Sequence, residues 1–161
     1  MSSHRFDETG FRRACGHFAT GVAVATVCDA AGAPHGLTVN SFTSVSLRPP
    51  LVLVCVDYSC AILPLFRAAG HYGISVLSVE QQELSARFAK KGQDRFDGLA
   101  WTPGTTGVPL IPEALAHFEC AVRQTIEAGD HAVFIAQVVR TTHREGRPLL
   151  YYGSGYQRMA E

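Results

Sequence analysis

The sequence predicts a mainly β fold with a few peripheral helices, closed into an antiparallel barrel. Three observations predict it. About seven segments carry the β-branched, apolar signature of strands, short turns rich in Gly, Pro and Asp join most of them, and helical periodicity is confined to two or three short stretches. A doubly wound sheet would need strands and helices to alternate along the whole chain, and they do not. The 161 residues correspond to one domain, 1–161, large enough to bury a core without disulfides or metals. Hydrophobic residues make up 47% and charged residues 17%, below the roughly 25% charge of ordinary soluble domains, which excludes global disorder.

In chain order, Phe11, Ala14, Cys15 and Phe18 recur at i, i+3, i+4 and i+7 and predict an amphipathic helix over Asp7–Phe18. The pattern then turns to a strand over Val22–Cys28, closed by the turn residues Gly32 and Pro34. A second strand is expected from about His35 to Ser46. A third, Leu51–Val56, reads as apolar on both faces once Pro49-Pro50 is passed. Ala61–Ala69 is a weak helical segment and Tyr72–Leu77 a strand. Ser78 with Gln81 forms a capping box, and Leu84 with Phe88 gives an apolar face to a helix ending near Lys91. Gly92–Pro112 reads as loop with at most a short strand near Trp101. Two long strands, about Ala114–Ile126 and His131–Thr142, meet at a Gly129-Asp130 turn, and a last strand is expected over Pro148–Tyr152.

Charge and cysteine content narrow the function. Fourteen Lys and Arg balance fourteen Asp and Glu with no basic run, so no electrostatic footprint for nucleic acid exists. Low charge favours burial of surface in an oligomer. Five cysteines with no CxxC pair fit free thiols in a reducing compartment. Met1–Gly10 has no apolar signal region, and no apolar run approaches the roughly 18 residues of a membrane helix, so a soluble cytoplasmic protein is expected, without membrane association.

The densest polar cluster is Thr38–Ser46, where six of nine residues carry a hydroxyl or amide. The ordinary reading is a solvated strand face. A buried row of hydroxyls, however, needs partners, because each unpaired one costs about 1–3 kcal/mol. Neutral donors beside an apolar wall suit a heteroaromatic ring with amide-like edges better than a metal, which would take His or carboxylates. Gly153-Ser-Gly155 lacks the strand, turn and helix of a dinucleotide fingerprint, and the seven histidines show no ligand spacing. His131 stands out only because it follows Gly129-Asp130, where a turn can present it to a cleft beside a carboxylate.

Several motifs carry a resemblance. Phe11-Arg-Arg-Ala-Cys-Gly-His-Phe-Ala-Thr-Gly-Val22, Gly36-Leu-Thr-Val-Asn-Ser-Phe-Thr-Ser-Val-Ser-Leu-Arg-Pro-Pro-Leu51, Ile74-Ser-Val-Leu-Ser78, Arg87-Phe-Ala89, Asp94-Arg-Phe-Asp-Gly98, Gly129-Asp-His131 and Pro148-Leu-Leu-Tyr-Tyr152 stand in one order. Together, across about residues 8–156, the chain resembles the flavin reductase family with the FMN-binding split barrel. The resemblance implies a homodimeric, six-stranded antiparallel Greek-key split β-barrel that binds FMN or FAD and reduces it with NADH or NADPH. The reduced flavin would serve a separate flavin-dependent monooxygenase. It further implies that Thr38, Val39, Asn40 and Ser41 lie along the flavin ring and ribityl chain, and that Ser44 and Ser46 approach the phosphate. Ser59, Cys60, Arg87, Phe88 and Ala89 would also touch flavin, Tyr156 would contact a nucleotide, and His131 would orient the nicotinamide as the catalytic residue.

Two departures stand out. Ala136 occupies a position where many members carry glycine, and the loop Asp57-Tyr-Ser-Cys-Ala61 has no Lys or Arg to meet a phosphate, which leaves FMN or FAD open. Fold does not fix function, so two alternatives stand beside the reductase: a flavin-binding module without turnover, and a flavoprotein that acts directly on an organic substrate.

Overall fold

The computed structural model describes residues 6–92 and 94–160. Helix α1 (Glu8–Gly16) starts with an acid and ends with Arg13, both favourable to its dipole. It is followed by β1 (Thr20–Gly21), β2 (Ala23–Cys28), β3 (Pro34–Val39), β4 (Thr43–Leu47) and β5 (Pro50–Asp57). Short helix α2 (Leu63–Ala68) leads to β6 (His71–Val76). A 3-10 turn over Val79–Gln81, with the expected capping box at Ser78, opens α3 (Gln82–Ala89). Strands β7 (Thr102–Pro103), β8 (Pro109–Leu110), β9 (Ala116–Ala128), β10 (His131–His143), β11 (Leu150–Tyr152) and β12 (Gly155–Gln157) complete the chain.

Seven strands form one antiparallel sheet in the order β3-β2-β6-β9-β10-β5-β4. Although β3 and β5 lie far apart in that order, Val39 of β3 and Val52, Val54 and Val56 of β5 share one core cluster with Ala25, Ile74 and Phe134. The sheet therefore curls around a common interior. Phe66 of α2 covers that interior, its ring 6.0 Å from Tyr72 and 5.6 Å from Phe134. A second cluster, with Val24, Leu77, Phe88, Phe96 and Leu149, lies between the outer side of β2 and α3. No helix among the described residues is long and apolar enough to cross a membrane.

Three expectations need correction. The single strand over His35–Ser46 is two strands, because Asn40-Ser41-Phe42 leaves the ladder. The Ser41 hydroxyl accepts the Cys55 N–H at 2.9 Å and turns toward the Cys55 carbonyl at 3.4 Å, a side-chain partnership that competes with continued strand pairing. Strand β5 is apolar on both faces, with Val52, Val54 and Val56 buried and Leu51, Leu53 and Cys55 half-buried. The apolar residues of α1 find no core in this chain, and Phe11 and Phe18 are exposed. The chain end adds strand β12, which pairs with β11. Across the 131–128 register, Gly129 takes φ of +62°, the conformation that a two-residue hairpin asks of its first turn position.

The buried Thr26, Ser75 and Glu119 side chains each have a structural task. Thr26 donates to the Pro109 carbonyl at 2.5 Å, and the Ser75 hydroxyl accepts the Ile111 N–H at 3.0 Å. Glu119, 3% exposed, accepts from the backbone N–H and hydroxyl of both Thr105 and Thr106 at 2.7–3.1 Å. These three residues staple the segment around β7 and β8 to the sheet. Gly104 is required there, since a Cβ would come within 2.5 Å of the Glu119 carboxyl carbon.

Burial pushes the Glu119 carboxyl up, but the hydroxyl and N–H of Thr106 and then those of Thr105 outweigh it, so it is held below the usual glutamate range. A carboxyl depressed in the folded state stabilises at pH above its unfolded value of about 4.3, and that contribution fades as pH falls through the folded value. Glu119→Gln is expected to cost about 2–3 kcal/mol at neutral pH, the loss of charged hydrogen bonds that an amide cannot all replace. Urea unfolding at pH 7 and at pH 3.5 checks this: the gap between the two proteins should narrow at the lower pH.

Candidate functional site

A cleft runs along β3 where α3 and the C-terminal hairpin approach it. Its first part, a hollow of about 210 Å³, is lined by Val22, Thr38, Val39, Asn40, Ala89, Tyr151 and Tyr156. Thr38 and Ala89 also line a second part of about 280 Å³ that continues past Phe88 to Asp57, Ser59, Cys60, Lys91 and Arg95. A small recess beside Thr20, Asn40 and Phe42 adjoins the other end.

Hydrogen bonds fix the walls. Thr38 donates to the Ser85 carbonyl of α3 at 2.6 Å, and the Ser85 hydroxyl meets the Tyr156 hydroxyl at 2.8 Å. One buried serine thus joins β3, α3 and β12. Gly36 lets α3 come this close, because a Cβ there would sit 3.0 Å from the Phe88 ring and 3.1 Å from the Ala25 carbonyl. The Tyr151 and Tyr156 rings meet edge to face at 5.7 Å, giving the first hollow an aromatic side.

The structure brings together Thr38, Val39, Asn40, Ala89 and Tyr156 in the first hollow, and Ser59, Cys60 and Phe88 with Thr38 in the second. Val39 and Phe88 are buried, so they shape the cleft more than they contact its contents. Asn40 is exposed at the break after β3. Ser41, Ser44, Ser46 and Arg87 stand elsewhere. The Ser41 hydroxyl is engaged by Cys55, and Ser44 and Ser46 lie on the exposed strand β4, outside the hollows. Arg87 donates through Nε to the Arg95 carbonyl at 2.7 Å and through Nη2 to that of Asp97, holding the segment after α3. The resemblance sets all four beside flavin, and none of them lines these two hollows.

His131 opens β10 directly opposite Asp57, the last residue of β5. Its side chain is about two-fifths exposed and its Nδ1 lies 2.6 Å from the Asp130 carboxylate. A carboxylate only accepts, so Nδ1 carries the hydrogen and Nε2 is left as the free ring position. Asp57 is held below the usual aspartate range, chiefly by the Ser59 N–H at 2.7 Å and then by the Ser59 hydroxyl. The hairpin is braced from the side: the Tyr58 N–H donates to the Asp130 carbonyl at 2.9 Å, and Arg67 pairs with Glu127 at 2.8 Å.

Lys91 and Arg95 were not foreseen as lining residues. The loop from Asp57 to Ala61 has no cation of its own, but the chain after α3 carries both to its side. The Asp-Arg-Phe run was the available signal. Ala136, the departure from glycine, is buried in the core.

Residues 15–160 match the family model described as flavin reductase like domain. An FMN reductase (NADH) SmoA of Agrobacterium fabrum is 47% identical over 93% of this chain and 85% of its own length, although the chain spans only about half of some other relatives. Streptomyces globisporus NADH:FAD oxidoreductase SgcE6, solved with NAD and FAD fragments, superposes with a TM-score of 0.90 at 40% identity, covering 96% of this chain and 93% of that one. The styrene monooxygenase flavin reductase of Pseudomonas putida S12 gives 0.86 at 39% identity, covering 94% and 97%.

Tyr156→Phe removes the hydroxyl that meets Ser85 and leaves the ring in place. It is expected to cost about 1 kcal/mol of stability, the usual worth of one hydrogen bond, and to loosen the C-terminal hairpin locally. Hydrogen exchange should show faster exchange over β11 and β12 with β9 and β10 unaffected.

Proposed function

The chain belongs to the flavin reductase family, and on that premise we propose that it takes a hydride from NADH or NADPH, reduces FMN or FAD in the cleft along β3, and releases the reduced flavin to a separate monooxygenase. The observation that carries the reading is the cleft itself: neutral polar groups and apolar walls along β3 that run to Asp57, the register partner of a histidine whose free ring nitrogen is set by Asp130.

The residues present fit a flavin. The first hollow supplies the Asn40 amide and the Tyr151 and Tyr156 rings, and the adjoining recess contains the Thr20 hydroxyl, a buried group with no protein partner. An orphaned hydroxyl is costly, and a bound polar edge nearby relieves that cost if the recess adjusts. Thr38, Val39, Asn40, Ala89 and Tyr156 would hold the ring, and Ser59 and Cys60 the chain that leads away from it. Flavin, when bound, supplies the hydride-accepting chemistry that no side chain has. The protein supplies orientation. His131 holds the nicotinamide edge and retains a proton-accepting Nε2, with Asp130 preventing the ring from turning.

We read the curled sheet as the family's split barrel, in which six strands close in Greek-key order and the remaining strand extends from them, and the whole as one working domain. The five free cysteines accord with a cytoplasmic setting. A homodimer is supported by β4, whose every residue is exposed, including Val45 at 47% and Leu47 at 78%, and which is an edge strand of the sheet.

His131→Ala is expected to lower kcat/KM for NADH by on the order of tenfold to a hundredfold, the scale of lost orientation. Flavin affinity should stay within about twofold, since only the nicotinamide loses its contact. Following absorbance at 340 nm with free FMN and FAD, beside flavin titrations, separates the two quantities, and equal losses in both would remove His131 from the nicotinamide side. Sedimentation should give a dimer for the native chain and a monomer for a Val45→Asp, Leu47→Asp variant. A native monomer in the presence of flavin would overturn the dimer.

A further inference from the structure

Tyr58 stands between two residues of the cleft wall, Asp57 and Ser59, and does not itself line the cleft. Its side chain reaches the outside of the β9–β10 hairpin, where three elements meet. The hydroxyl donates to the Glu127 carboxylate of β9. Arg67 of α2 engages the same carboxylate through Nη1 at 2.8 Å and Nη2 at 3.0 Å, and its guanidinium carbon lies 5.9 Å from the centre of the Tyr58 ring. Each of the three side chains therefore meets the other two. The carboxylate pushes the Tyr58 phenol up, and that hydroxyl, followed by Arg67, holds the Glu127 carboxyl below the usual glutamate range, so donor and acceptor keep these forms around neutral pH.

The cluster is a poor source of global stability, because its side chains are roughly half exposed and exposed ion pairs contribute little to folding. Its placement points to a local task. Glu127 is the register partner of Ala132, next to the pair formed by His131 and Ala128. Arg67 follows Phe66, which is buried against Tyr72 and Phe134, so the guanidinium is anchored to the core through its neighbour. Tyr58 holds the hairpin twice: its hydroxyl binds Glu127 on one strand, and its N–H donates to the Asp130 carbonyl of the turn at 2.9 Å. Strand register fixes where His131 begins β10, but the direction of its ring depends on the Asp130 carboxylate, 2.6 Å from Nδ1. That carboxylate is 88% exposed, and nothing buried around it keeps it in place.

We propose that Tyr58, Glu127 and Arg67 are positioning residues for hydride transfer: together they hold the Asp130 turn so that the His131 ring keeps one direction, and they act through that ring without touching nicotinamide or flavin. The proposal rests on the reductase reading, which gives His131 the nicotinamide. A ring that points correctly only part of the time orients the hydride donor only part of the time, which slows reduction by NADH and leaves flavin binding unchanged.

The test combines kinetics with imidazole NMR on the whole protein. Tyr58→Phe keeps the aromatic ring and the main-chain N–H and removes only the hydroxyl. It should lower kcat/KM for NADH by about three- to tenfold, with flavin affinity within about twofold and the thermal midpoint within about 2 °C. Glu127→Ala should do the same, and Glu127→Gln, whose amide oxygen still accepts from Tyr58, should recover part of the loss. In a His131→Ala background, Tyr58→Phe should change kcat/KM by less than about 1.5-fold, since residues that act through one group are not additive. In nitrogen-labelled histidine spectra of the flavin-free protein at alkaline pH, assigned with His131→Ala, the native His131 ring should carry its hydrogen on Nδ1, and Tyr58→Phe should raise the share of the Nε2–H form. Losses that add in full to that of His131→Ala overturn the proposal, and so does an unchanged His131 signal in Tyr58→Phe. A native protein that does not oxidise NADH with free flavin sinks the reductase reading instead, and the NMR comparison then decides by itself whether the cluster sets the ring.

Discussion

The fold turns on one side-chain hydroxyl. Where β3 ends, Ser41 uses its hydroxyl to satisfy the N–H of Cys55 in β5, a strand at the far end of the sheet order. That contact is local in space and distant in topology, so it fixes the sheet as a curl rather than an open ribbon. The consequences follow in sequence. Val39 turns inward to share a core with Val52, Val54 and Val56, Asn40 is left at the surface, and the chain emerges on the opposite edge as β4. The polar run that makes the site conspicuous is thus divided between two jobs, with one hydroxyl holding the architecture and the amide beside it left to face the cleft.

A second constraint sets the width of the cleft. Helix α3 approaches β3 as closely as Gly36 permits, and Ser85 fixes the distance by accepting from Thr38 through its carbonyl while its hydroxyl meets Tyr156. A buried polar residue that is fully satisfied raises specificity, because any other placement of the helix leaves donors and acceptors unpaired. The same logic governs Thr26, Ser75 and Glu119 elsewhere on that same outer face of the sheet. Much of the buried polarity joins loops and helices to strands, while the interior of the curl is mostly apolar, with the Tyr72 hydroxyl donating to the Phe134 carbonyl at 3.0 Å.

The elements were largely legible in the sequence because their signals are local. The Ser78–Gln81 capping box, the Gly129-Asp130 hairpin and the β-branched runs of β2 and β5 each depend on neighbours within a few residues. The site was legible only in part. Thr38 and Asn40 stand out through polarity in a strand, and His131 through its turn. The break between β3 and β4 was not legible, since nothing local announces a contact from Ser41 to Cys55. The arrival of Lys91 and Arg95 beside Ser59 is likewise a product of tertiary approach, as is the task of Glu119, which reads in sequence as an ordinary strand carboxylate.

The distribution of charge along the cleft bears on how a reductase of this kind works. The middle is neutral, and the cations gather at one end with Asp57 among them. A flavin that must leave after reduction gains nothing from uniformly tight binding, which stabilises the bound ground state as much as the transition state. Neutral donors along the ring fix orientation at modest cost to release, and an anion contact at the end adds affinity without touching the reacting edge. Because β10 pairs with β5 across His131 and Asp57, the strand register that closes the core also sets the distance between that histidine and the loop at Ser59. The position of that histidine relative to the loop is therefore a property of the sheet and not of the loop itself.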